Sequence, residues 1–101
     1  MNENELFEAL SKVGLGSWGE MDSWRDSSRL LSALDAIGRD GGNALVKIDG
    51  GRNDGRVYTV VVSGGRLGDE FFRKDGSDLH ALVLEAIGFW VAHALSDRRE
   101  A

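Results

Sequence analysis

The sequence has no cysteine and no proline. Without cysteine it forms no disulfide, no zinc–thiolate or iron–sulfur site and no thiol nucleophile, a usage that suits a reducing compartment. Without proline it has no X-Pro cis bond and no polyproline ligand segment. Positive charge is also scarce. Twelve Lys and Arg stand against 17 Asp and Glu, a net charge of −5 at pH 7, which argues against general affinity for nucleic acid or anionic membranes. The start, Met1-Asn2-Glu3-Asn4-Glu5, is acidic where a secretory signal needs positive charge and then an apolar stretch. The most apolar window, Leu79 to Leu95, is interrupted by His80, Glu85 and His93 and reads as too short and too polar to span a membrane. The expectation is a cytoplasmic protein with no membrane partner.

What is present amounts to a single domain, residues 1–101, with 42% apolar and 29% charged residues, an ordinary balance for a soluble globular chain. Leu6, Phe7, Leu10 and Val13 recur at helical spacing over about residues 4–13, Asn2 and Glu5 form a capping-box-like start, and Gly14 and Gly16 end the run. A second helix is expected from Ser23 or Trp24 to Ile37, with Trp24, Leu30, Leu31, Leu34 and Ile37 on one side and Gly38 as its stop. The period then changes from 3.6 to 2. Ala44, Val46 and Ile48 alternate with Leu45, Lys47 and Asp49, Gly50 to Gly55 is a dense turn signal, and Arg56 to Ser63 is a β-branched strand. After Gly64-Gly65 a short third strand is expected over Asp69 to Lys74. A final helix carries Leu79, Leu82, Val83, Ala86, Ile87, Trp90, Val91 and Ala94 on an apolar stripe, with Ser77 or Asp75 as its cap. The fold expected is therefore α+β, a three-stranded antiparallel sheet with helices packed on one face, in the order α-α-β-β-β-α.

No constellation of catalytic residues emerges, and no metal or cofactor is expected. His80 and His93 are thirteen positions apart on one helix, roughly 20 Å along its axis, so they share neither a metal nor a proton and read as exposed flanks. Gly50-Gly51-x-x-x-Gly55 lacks the Gly-Lys-Ser/Thr ending of a phosphate loop and precedes a strand rather than a helix. Asp69 and Glu70, adjacent on a strand, point to opposite faces and do not converge as an acid–base pair.

Charge distribution is the remaining clue. Residues 1–40 hold eight acids and four bases, residues 41–78 six of each, and residues 79–101 three and two. Two acidic sets are candidate partner contacts: Glu20, Asp22 and Asp26 beside Trp18, and Asp49, Asp54, Asp69 and Glu70 along the sheet edge. Carboxylates in a row mimic phosphates and occupy a basic groove of another protein, and Trp18 in a loop is the anchor such a contact favours. Arg52, Arg56 and Arg66 sit near the hairpin turns with no role assigned.

The order α-β-β-β-α, with a Gly-rich hairpin (Ile48-Asp49-Gly50-Gly51 to Gly55-Arg56-Val57-Tyr58) and the closing Asp-Gly-Ser-Asp-Leu-x-Ala-Leu-x-x-Glu-Ala-Ile helix, resembles small proteins of bacteriophages and mobile elements. The phage ABA-sandwich proteins and small anti-CRISPR proteins are the two groups concerned, and the likeness of arrangement spans about residues 28–95. It implies a non-enzymatic inhibitor that binds a bacterial nucleic-acid-processing complex, such as a CRISPR effector, and blocks its DNA or RNA site without binding nucleic acid itself. The alternatives are a homo-oligomeric structural or accessory phage protein, dimerising through an uncovered sheet face, and a toxin-neutralising immunity protein.

Overall fold

The computed structural model describes residues 2–14 and 27–100. In chain order they form helix α1 (Glu3–Lys12), helix α2 (Ser27–Arg39), strand β1 (Gly42–Ile48), strand β2 (Tyr58–Gly64), a single 3-10 turn (Gly65–Leu67), strand β3 (Phe71–Gly76) and helix α3 (Leu79–Glu100). The sheet is antiparallel in the order β1-β2-β3, with helices on one side, so the α+β class and the α-α-β-β-β-α order stand as read from the sequence.

Each element follows from local chemistry, with several boundaries displaced from their expected positions. Asn2 caps α1 by accepting the Glu5 backbone N–H at 2.8 Å. The expected start of α2 at Ser23 or Trp24 lies outside the described residues. Its end is not at Gly38, which stays helical; Gly41, at φ 99°, turns the chain into β1. Strand β3 begins at Phe71 rather than Asp69, because the Glu70 N–H closes a turn onto the Leu67 carbonyl at 3.0 Å and pairing with β2 starts at Ser63 opposite Phe71. Asp69 and Glu70 therefore belong to a turn, and the alternation argument made for them does not apply. Asp75 is consumed by β3, and the cap of α3 is Asp78, whose Oδ1 accepts the Ala81 N–H at 3.1 Å.

Register and the two-residue period divide the sheet into two faces. Val60 and Val62 point to the helices and are fully buried, joined by Ile37 from α2, Leu67 from the 3-10 turn, and Leu82, Val83, Ala86 and Trp90 from α3. Full burial of each large side chain contributes about 1.5–3 kcal/mol. Val46, Tyr58 and Phe72 flank this cluster. Of the five residues expected on one side of α2, Trp24 lies outside the described residues, Leu31 is 65% exposed and Ile37 is buried. Trp90 lies so close to β1 that a Cβ at Gly42 would stand 2.5 Å from its ring and 2.9 Å from Ile37, so only glycine fits there. Helix α1 makes no substantial contact with any other described element, and its Leu6 and Val13 are exposed.

Helix α3 is longer than the apolar window suggested. Leu79–Ser96 is long and apolar enough to cross a membrane by length and composition, although its inner stripe packs on the sheet.

Candidate functional site

The face of the sheet turned away from the helices carries three cross-strand rows: Asn43–Ser63–Phe71, Leu45–Val61–Arg73 and Lys47–Thr59–Asp75. Leu45 is 57% exposed and Phe71 62% exposed, with Val61 half-buried between the strands that carry them. Two large apolar side chains thus stand largely in solvent on neighbouring rows, on the two strands that flank β2.

In the third row Thr59 is buried beneath a side chain of the β1–β2 loop, while Lys47 stays exposed. Arg52 reaches back from that loop, donating through Nη2 to Thr59 Oγ1 at 2.8 Å and through Nη1 to the Arg56 carbonyl at 2.8 Å. Its guanidinium also lies 3.4 Å from Asp75 and 3.7 Å from Asp49. Thr59, only 3% exposed, donates its hydroxyl proton to Asp75 Oδ1. This hydrogen bond, followed by the positive charges of Arg52 and Arg73, holds the Asp75 carboxyl below the usual carboxylate range. A threonine beside a carboxylate suggests a nucleophile and its base. Here the hydroxyl is buried under Arg52 and both its hydrogen-bonding roles are used, while the carboxylate is kept ionised and is a poor proton acceptor. The cluster is a clamp that fastens the hairpin loop to the sheet.

The structure separates the acidic residues expected to form one sheet edge. Asp49 accepts the Gly51 N–H at 3.0 Å and faces Lys47 and Arg52. Asp54 accepts from the Arg56 backbone N–H at 3.0 Å and from its guanidinium at 2.8 and 3.1 Å, and these bonds lower its pKa. Asp69 and Glu70 lie at the opposite end of β2, about 20 Å away by strand length. Asp69 is exposed in the turn, and Glu70 pairs with His93 Nε2. The four do not converge. Trp18, Glu20, Asp22 and Asp26 lie outside the described residues.

His93 differs from its reading as an exposed flank. Its side chain is 26% exposed, its Nδ1 faces the Phe89 carbonyl at 3.0 Å, and its ring packs 4.6 Å from that of Phe89. Its two ring nitrogens face the Phe89 carbonyl and the Glu70 carboxyl, so the side chain ties the β2–β3 turn to α3. Arg66 in the same turn pairs with Asp40, whose carboxyl it holds below the usual range. His80 remains exposed.

A concavity of about 610 Å³ lies between α2, the sheet and the start of α3. Its wall is mainly Leu30, Leu34, Val46, Leu79 and Val83, and of its polar rim Asp78 is already engaged as the α3 cap. Among the described residues no group of three or more His, Asp or Glu is placed to hold a metal ion.

Sequence reasoning missed Arg52, Thr59 and Asp75 as a unit, and Leu45 and Phe71 as a surface. The signal for the first was a lone threonine within a valine run, and for the second the register that only strand pairing supplies.

No family model, curated protein or solved structure matches this chain.

Proposed function

We propose that this chain is a non-enzymatic protein-binding domain that acts as an inhibitor, laying the open face of its sheet on a bacterial nucleic-acid-processing complex and excluding DNA or RNA. The observation that carries this reading is the exposed Leu45 and Phe71 on that face, bordered by Arg73 and by the Arg52–Thr59–Asp75 clamp. An apolar centre with a polar rim is the anatomy of a protein contact. The net charge of −5 supports a basic docking site on the partner by steering encounter.

The geometry gives less support to a row of phosphate-like carboxylates among the described residues, because Asp49 and Asp54 are held by arginines of their own loop. In the version proposed, the acidity supplies attraction and the sheet face supplies contact. The test is target cleavage by a purified host nuclease or CRISPR effector complex with the protein added. Wild type is expected to suppress cleavage, and the L45D/F71D double variant to lose at least about tenfold in potency. Cleavage that continues unchanged at saturating wild-type protein across the host's nucleases contradicts the inhibitor reading. Suppression that survives L45D/F71D contradicts the assignment of the face.

A further inference from the structure

The helix-covered face of the sheet is left open at one end. Register sets Val46 opposite Val60 and Ile48 opposite Tyr58, so Ile48 points to the same side as the buried Val60 and Val62. Yet Ile48, at the last row, is 66% exposed. The concavity between α2, the sheet and the start of α3 lies at this end, where Val46 and Tyr58 form its floor, and the exposed Leu31 belongs to its wall. A core-side row and an apolar helix wall are thus left bare among the described residues.

Helix α1 has the complementary shortage. Leu6, Leu10 and Val13 follow at intervals of four and three residues, which makes one stripe on a helix. Leu6 is 49% exposed and Val13 69%. Asn2 caps the start of α1, and the Val13 and Gly14 N–H groups close its end onto the Ala9 and Ser11 carbonyls. Caps alone do not sustain a helix of ten residues. Below about 12–15 residues a helix is marginal in water and draws its stability from packing an apolar face.

We propose that the concavity is a groove for a short amphipathic helix, and that its occupant is α1 of the same chain, seated with Leu6, Leu10 and Val13 against Leu31, Leu34 and Leu79. Three features select this occupant. The stripe from Leu6 to Val13 and the groove wall from Ser27 to Leu34 each span seven residues, roughly 10.5 Å of helix. The chain outside the described residues, 15–26, ends at Ser27, which itself lines the groove. Those twelve residues reach at most about 40 Å when extended, so α1 is held near the groove at an effective concentration of the order of millimolar. Glu8 and Ser11, on the other side of α1, remain in solvent when the stripe is seated. The open face of the sheet is not involved, so the proposal is independent of the inhibitor reading.

Nuclear Overhauser spectra of the full-length, isotope-labelled chain test it. Wild type is expected to show methyl contacts from Leu6, Leu10 or Val13 to Leu31, Leu34 or Leu79. A mixture of labelled and unlabelled chains, read with isotope filters, is expected to show none of them. In L6E/V13E the contacts are expected to vanish and the Ala9 and Leu10 amides to exchange at least about tenfold faster, while the Val60 and Val62 amides stay protected. If that variant fails to fold, the wild-type contacts decide the matter by themselves. Four results overturn the proposal: α1 without contacts and with amides exchanging as in a free peptide, groove methyls that meet the Trp18 or Trp24 indole in place of α1, α1 in contact with Leu45 and Phe71, or contacts that appear in the isotope-filtered mixture and so come from a second copy.

Discussion

The two faces of the sheet are built from one run of residues and behave as opposites. On the helix side Val60 and Val62 are fully buried, whereas Val61 between them shares its face with exposed Leu45 and Phe71. A period-2 strand offers both faces equally, and the helices decide which becomes core. The covered face holds the fold by close packing. Among the described residues the other face holds a loop, through Arg52, Thr59 and Asp75, and leaves Leu45 and Phe71 largely in solvent. Apolar residues in a strand thus have two different jobs, and burial tells them apart.

The sharpest way to break this comparison is to damage the covered face. Val62→Asp places a carboxylate in a fully buried site and is expected to unfold the domain, since an unpaired buried charge costs several kcal/mol against a total stability of about 5–15 kcal/mol. Trp90→Ala is expected to cost about 3–5 kcal/mol in urea denaturation. Gly42→Ala forces a Cβ to within 2.5 Å of the Trp90 ring and is expected to cost about 1–3 kcal/mol by overpacking.

Damage to the clamp comes next. Arg52→Ala leaves the buried Thr59 with one partner fewer and frees the loop, an expected loss of about 1–2 kcal/mol read from the urea midpoint. Acid reads the same cluster. The Asp75 carboxyl titrates lower in the folded protein than in the unfolded chain, so its contribution is complete above the ordinary carboxylate pKa and is lost as pH falls through the lowered value. Thr59→Val removes the hydrogen bond chiefly responsible for that shift. The stability difference between pH 7 and pH 3 is therefore expected to be smaller in T59V than in wild type.

The smallest effect belongs to the open face. Leu45→Asp and Phe71→Asp are each expected to cost no more than about 1 kcal/mol, because both side chains are mostly exposed and the change is chiefly one of strand propensity. A large loss in either would mean that the face is covered.

Much of this was legible in the chain. The change of period from 3.6 to 2 at residue 44, the glycine-dense turn at residues 50–55 and the stripe from Leu79 to Ala94 led to the element order the molecule has. Boundaries shifted where a residue had two possible roles. Asp75 looked like a cap and became the partner of Thr59; Gly38 looked like a stop and stayed helical because Gly41 takes the positive φ. The site was less legible, because it depends on contacts between residues distant in the chain. Thr59 meets Asp75 sixteen positions away, and Glu70 meets His93 across twenty-three. Composition marked Asp49, Asp54, Asp69 and Glu70 as one acidic set, but register divided them between the two ends of β2. On α3 the apolar stripe read from the sequence included Val91, which is 45% exposed, because it lies on the flank of the helix away from the sheet.

The absence of cysteine makes the central claim directly measurable. Single cysteines placed as L45C, F71C and V62C can each be labelled with a maleimide in the native protein, and their rates compared with those in denaturant. The account predicts that positions 45 and 71 react almost as fast folded as unfolded, while position 62 is protected until the domain opens. Native protection at 45 and 71 comparable to that at 62 would contradict it, because the face assigned to partner binding would then already be part of the core.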